Sequence, residues 1–129
     1  MSVYIDVLGS KVIVREENIE PLVDALKDTY LDDADDLAAA ENDPRAALDA
    51  IFRAADFTAV ERSDTHVTYE WEPEGVYRGS DDDFFDNIAP FVEGHIDYTH
   101  DGEAERQLFE GGTRTTEAGK IVFPSSGRW

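Results

Sequence analysis

Residues 57–72 read FTAVERSDTHVTYEWE. Two β-prone runs, Phe57 to Arg62 and Thr65 to Glu72, flank the turn-forming pair Ser63-Asp64. In the second run Val67, Tyr69 and Trp71 alternate with Thr68 and Glu70. A period of two sends alternate side chains to opposite faces of a strand, so one face meets a core and the other meets water. The stretch is therefore a β-hairpin with Trp71 buried, and its apolar face needs a covering layer.

The neighbouring segments supply that layer. Upstream, Asp43-Pro44 reads as a helix N-cap followed by proline at the first helical position. The stripe Leu48, Ile51, Phe52 and Ala55 follows the 3.6-residue period. Leu37 to Glu41 is a short alanine-rich helical piece after the run DDADD. Earlier, Asn18 can cap a helix with Ile19, Leu22, Val23, Leu26 and Tyr30 on one side. Pro21 then falls in the first turn, where proline is tolerated. At the start of the chain, Val3 to Leu8 and Lys11 to Val14 read as strands joined by a tight Gly9-Ser10 turn. That hairpin puts Ile5, Val7, Val12 and Val14 on one face and Asp6 on the other.

Downstream, Ser80 with Asp83 forms a capping box opening a helix that carries Phe84, Phe85, Ile88 and Val92. Pro90 closes this helix and Gly94 ends it. Ile96 and Tyr98 lead to Asp101-Gly102, a hairpin signal, and the return strand reaches Phe109. Gly111-Gly112 turns again, and Ile121 to Phe123 is a last short strand. In the 95–109 hairpin, burial favours a three-residue loop pairing Ile96 with Leu108 over a two-residue loop pairing Asp97 with Arg106, because an exposed ion pair is worth only about 0–1 kcal/mol. The fold class is α+β: a mainly antiparallel sheet built from hairpins, with two to four helices packed on one face. Residues 1–124 make one domain, and 125–129 are a loose tail.

Composition narrows the setting more than the function. The chain has 129 residues, with 30 Asp and Glu against 11 Lys and Arg, a formal net charge of −19. Lysine is scarcest, only Lys11, Lys27 and Lys120. Self-repulsion on this scale is screened in molar salt, where the Debye length falls to roughly 3 Å. Such a composition resembles that of haloarchaeal cytoplasmic proteins. With 41% apolar residues the chain has material for a core. The absence of cysteine excludes disulfides, thiolate metal sites and cysteine nucleophiles. No apolar stretch approaches the ~18 residues of a membrane span, and MSVYIDV lacks the features of a signal peptide. A cytoplasmic protein is expected, with no membrane partner. The negative field argues against direct binding of nucleic-acid phosphates.

Few residues invite a chemical reading. His66, His95 and His100, with Asp97 and Asp101, are the candidate catalytic or metal-ligating set. His95 and His100 are five apart on one strand and so face opposite ways, and no zinc-like spacing is present. No metal and no cofactor are expected. Asp32, Asp33, Asp35 and Asp36 lack the glycine and distal glutamate of a calcium loop and read as solvated surface. Asp81, Asp82 and Asp83 suit the first turn of a helix, whose dipole favours anions. Ser80, Ser125 and Ser126 sit in no nucleophile motif. Tyr77 and Arg78 fit neither strand nor helix pattern and form a possible recognition loop.

Residues 80–123 contain IAPFVEGHIDYTHDGEAERQLFEGG. This region resembles small uncharacterised prokaryotic and phage-associated α+β domains, through Ile88, Pro90, Phe91, Val92, Gly94, Ile96, Asp97, Asp101, Gly102, Glu103, Phe109, Gly111 and Gly112. Where those domains place aromatics after the turn, this chain has Glu105 and Gln107. The resemblance implies a fold segment and no activity. The functional expectation is a non-enzymatic binding module with a macromolecular partner. The alternatives are a small hydrolase or metal-dependent enzyme built on the histidines and carboxylates, and a structural protein forming a homodimer through a sheet edge.

The charge leads to a direct expectation. The thermal midpoint should be higher in about 2 M KCl than in about 0.1 M KCl, because salt screens the repulsion. An unchanged or lower midpoint in high salt would refute the salt-adapted reading.

Overall fold

The computed structural model describes residues 5–31, 34–73, 79–100 and 103–118. Strand β1 (Ile5–Arg15) is followed by three helices, α1 (Glu16–Tyr30), α2 (Ala34–Asn42) and α3 (Pro44–Arg53). The hairpin β2 (Phe57–Arg62) and β3 (His66–Trp71) comes next, then α4 (Gly79–Ile88) with a single 3-10 turn at Ala89–Phe91. The last elements among the described residues are β4 (Val92–His100), β5 (Glu103–Glu110) and β6 (Thr113–Ala118). All pairings are antiparallel, in the order β2-β3-β1-β4-β5-β6. The architecture is α+β, one six-stranded sheet with four α-helices.

The central hairpin behaves as its alternation demands. Val67, Tyr69 and Trp71 are each 1% exposed. Phe52 of α3 stacks on Tyr69, with ring centroids 4.1 Å apart, and meets Phe57 and Phe84 edge-on. Trp71 packs against Phe85 and Tyr98, and its Nε1 donates to the Ala55 carbonyl at 3.1 Å. A buried indole N–H without an acceptor would cost about 1–3 kcal/mol, so this bond fixes where α3 must end. Asp43 caps α3, its side chain accepting from the Ala46 amide at 3.2 Å.

The N-terminal region departs from the expected hairpin. Residues 5–15 form one continuous strand, and Gly9-Ser10 is not a turn. Between Val7 and Gly9 the pairing with β4 skips Leu8, which is the extra residue of a β-bulge. The bulge does the work assigned to the turn. It shifts the side-chain parity, so Ile5 and Val7 share a face with Ser10, Val12 and Val14. Ser10 Oγ on that face accepts from the Trp71 amide at 2.8 Å.

Three smaller boundaries also move. Helix α1 starts at Glu16 with Arg15 as N-cap and no side-chain cap bond, so Asn18 lies inside it and Pro21 lies in its second turn. Helix α4 starts at Gly79, which places Ser80 within the helix instead of at its cap. Gly94 does not end a helix; it lies within β4, opposite Val12 and Phe109. The register of the 95–109 hairpin is the one rejected on burial grounds: Asp97 pairs with Arg106 and Ile96 with Gln107. Gln107 is 1% exposed and its amide is used at both ends. It donates to the Tyr98 hydroxyl at 2.9 Å and accepts from Thr116 Oγ1 at 3.0 Å. A buried amide with its partners in place carries little penalty, and Leu108 is half-buried on the other face. The expected strand at Ile121–Phe123 and the tail at 125–129 lie outside the described residues.

Gly94 provides a sharp test of the β1–β4 seam. Its φ is +126°, and a Cβ there would sit 1.8 Å from the Lys11 carbonyl oxygen. That atom is backbone in the middle of the sheet and cannot swing aside. Gly94→Ala should lose more than about 3 kcal/mol in urea unfolding. A loss below about 1 kcal/mol would show that the two strands do not approach as described.

Candidate functional site

The four helices cover one face of the sheet. On the other face, alternation brings together residues from all six strands. Lys11 of β1 lies opposite His95 of β4, His95 opposite Leu108 of β5, and Leu108 opposite Thr115 of β6. On one side of this row are Ile13 and Glu93; on the other are Asp97, Arg106 and Glu117. Leu8 and Val60, the exposed large hydrophobics among the described residues, are both the extra residues of bulges, in β1 and β2.

Of the expected candidates, the fold brings His95 and Asp97 together and adds Arg106. Asp97 accepts from Arg106 Nε at 2.7 Å and from Nη2 at 3.0 Å, a bidentate fork. These bonds hold the Asp97 carboxyl below its ordinary value, with a smaller contribution from His95, while burial opposes the shift. His95 Nδ1 is 3.4 Å from Asp97 Oδ1 but makes no hydrogen bond, and the atom itself is hidden from solvent. Beside this trio a shallow pocket of about 270 Å³ is lined by Leu8, Ala104, Arg106 and Glu117.

His66 is not part of this group. It lies opposite Arg15 on β1, whereas His95 lies opposite Lys11, four residues and two strand spacings away. The separation is roughly 13 Å along the strand and 10 Å across. Both ring nitrogens of His66 are engaged at the hairpin tip. Nε2 is 2.6 Å from Glu61 Oε1, and Nδ1 is 3.1 and 2.9 Å from the hydroxyls of Ser63 and Thr65. His100 ends β4 at a position of opposite parity to His95, paired with Glu103. Asp101, Tyr77 and Arg78 lie outside the described residues. Among the described residues, no three His, Asp or Glu side chains converge as a metal site. An aspartate pinned by a guanidinium and kept ionised is badly placed to carry protons near neutrality. The open face therefore offers shape and contact more readily than acid–base chemistry.

Two polar clusters on the helix side escaped sequence reasoning. In the first, Tyr69 donates to Asp49 Oδ1 at 2.5 Å and Arg62 donates to the other oxygen of the same carboxylate. Burial, then the bond to Asp49, pushes the Tyr69 phenol far above its ordinary value. Asp49 thereby ties α3 to the β2–β3 hairpin. In the second, Thr116, Gln107, Tyr98 and Glu105 form a chain, with the Tyr98 hydroxyl 3.4 Å from Glu105 Oε1. Burial is the leading cause raising Tyr98 to about 12. The legible signal was the polar pair Glu105 and Gln107 at a spacing of two within a strand.

No protein-family model matches the chain, and no curated protein or solved structure is significantly similar to it.

The Asp97–Arg106 pair has a pH signature. Because the folded state lowers the acid's pKa, the pair's contribution is complete above the unfolded value of about 3.9 and is lost as pH falls through the lower folded value. Asp97→Asn should cost about 0–1 kcal/mol near pH 7 and less at about pH 3. Urea midpoints of both proteins at the two pH values check this; a difference that grows on acidification would contradict it.

Proposed function

We propose that the chain is a non-enzymatic protein-binding module, adapted to a salt-filled cytoplasm, that meets its partner through the open face of the sheet. The observation that carries this reading is a sheet face that none of the helices among the described residues covers. Its middle holds Ile13 and Leu108 half-buried, Lys11 and Leu8 exposed, and Thr68 at 4% exposure with a hydroxyl that finds no hydrogen-bond partner among the described residues. Apolar side chains break an otherwise acidic surface here, as they do in the centres of protein interfaces.

The spread of carboxylates supports salt adaptation over a dedicated acidic binding patch. Exposed acids occupy the helices, at Glu17, Glu20, Asp24, Asp28, Glu41, Asp83 and Asp86, and also the sheet, at Asp6, Glu70, Glu110 and Glu117. A surface evolved to grip a basic partner would concentrate them. The enzyme reading draws less support, because His66 is fully engaged at a hairpin tip and Asp97 is pinned by Arg106.

A photo-crosslinking residue placed at Lys11, compared with one at Asp24 on α1, tests the reading in an extract of the source cells at molar salt. The expected result is a discrete protein adduct, to another protein or to the chain itself, from position 11 and not from position 24. No adduct from position 11, or the same adducts from both, would refute it.

A further inference from the structure

Strand β6 ends at Ala118, the last of the described residues, and Ala118 is also a wall of the pocket beside Asp97. Leu8 and Ala104 supply the other apolar walls, and the row Asp97, Arg106 and Glu117 runs between them. Leu8 is 59% exposed, a large apolar side chain standing in water. Arg106 spends its fork on Asp97 and acts on Glu117 only through space. Glu117 is exposed and takes no ion pair among the described residues. At about 270 Å³ the pocket is too small for most small-molecule ligands, whose sites run to about 300–1,000 Å³. It suits one or two side chains.

The residues that follow Ala118 have the matching chemistry. Residues 118–129 are the longest stretch of the chain without an acid. They carry Lys120 and then Ile121, Val122 and Phe123 in succession, in a chain of net charge −19. A segment bearing carboxylates would be turned away from this place by those already there.

Their reach fits as well. Leu8 lies between the pairs Val7–Tyr98 and Gly9–Asp97, and these rows continue through Glu105 and Arg106 to Ala118 and Glu117. Leu8 is therefore straight across the sheet from the end of β6, three strand spacings or roughly 14 Å away. Phe123 is five residues beyond Ala118, an extended span of about 17 Å. We propose that residues 119–123 of this chain cross the open face over the Asp97–Arg106–Glu117 row and seat Phe123 against Leu8, with Lys120 beside Glu117. The contact removes two large apolar side chains from water. The tether spares the segment most of the entropy cost of association. Lys11, Ile13 and Thr68 lie further along the sheet, so the partner surface proposed above stays open.

Nuclear Overhauser effects on the full chain in about 2 M KCl test the proposal. Cross-peaks should join the Phe123 ring to the Leu8 methyl groups. Phe123→Ser should abolish them and shift the Leu8 and Ala104 methyl signals. The Val60 methyl groups, exposed on β2 at the far side of the sheet, should not move. A wild-type Phe123 ring with no cross-peak to the pocket, or shifts at Val60 as large as those at Leu8, would overturn the proposal. So would cross-peaks that appear only between differently labelled molecules in a mixed sample, which would assign the segment to a second copy.

Discussion

Strand β1 is the element on which the remaining sheet depends, and its bulge at Leu8 is the constraint that makes it work. β1 lies between β3 and β4, so it joins the β2–β3 hairpin to the β4–β5–β6 meander. Its apolar residues change parity halfway along, from Ile5 and Val7 to Val12 and Val14. A regular strand of this sequence would send one of these pairs into water. One extra residue restores the common face while leaving the strand continuous. Leu8 absorbs the irregularity and is 59% exposed as a result.

That geometry explains which parts of the fold could be read from the sequence. The period of two in Val67, Tyr69 and Trp71 and the period of 3.6 in Leu48, Ile51, Phe52 and Ala55 identify their elements because each is set by local burial. The parity change in β1 was equally legible, but a tight turn and a bulge both satisfy it. The choice between them is made by long-range pairing. A local hairpin would have left β1 matched only to itself, whereas the extended strand pairs with β4 from Ile5 to Val14 and with β3 from Val12 to Arg15. The start of α1 moved for a related reason. The chain turns directly from the end of β1 into the helix, and the Glu16 amide donates to the Thr65 carbonyl at the tip of the neighbouring hairpin. No nearby residue signals that contact.

The 95–109 hairpin shows the limit of ranking side chains by hydrophobicity alone. Leu108 loses the inner face to Gln107 because Tyr98 and Thr116 stand ready on either side of the amide. Those partners sit on β4 and β6, and they become neighbours only once the register is known. The candidate site follows the same pattern. His95 and Asp97 could be nominated from residue type and placed on one face by their spacing. Arg106 joined them through the very register that the burial argument had set aside.

The scarce cations reveal how an acidic chain is held together. Arg45 reaches from α3 to Glu16 at 2.5 Å and to the Ser63 carbonyl at 2.7 Å. Arg62 joins β2 to α3, and Arg114 joins β6 to Asp82 and Asp86 of α4 while lying 5.9 Å from the Phe85 ring centre. Arg15 and Arg106 tie β1 and β5 to β4. Each of these arginines spans two elements, and the planar fork suits that task because one guanidinium can bind several acceptors at fixed angles. Lysine is a point charge on a flexible stem and makes a poorer joint. Among the described residues Lys27 accordingly pairs within its own helix, with Asp24. Lys11 stands outside this scheme, exposed at the centre of the sheet and in no ion pair among the described residues.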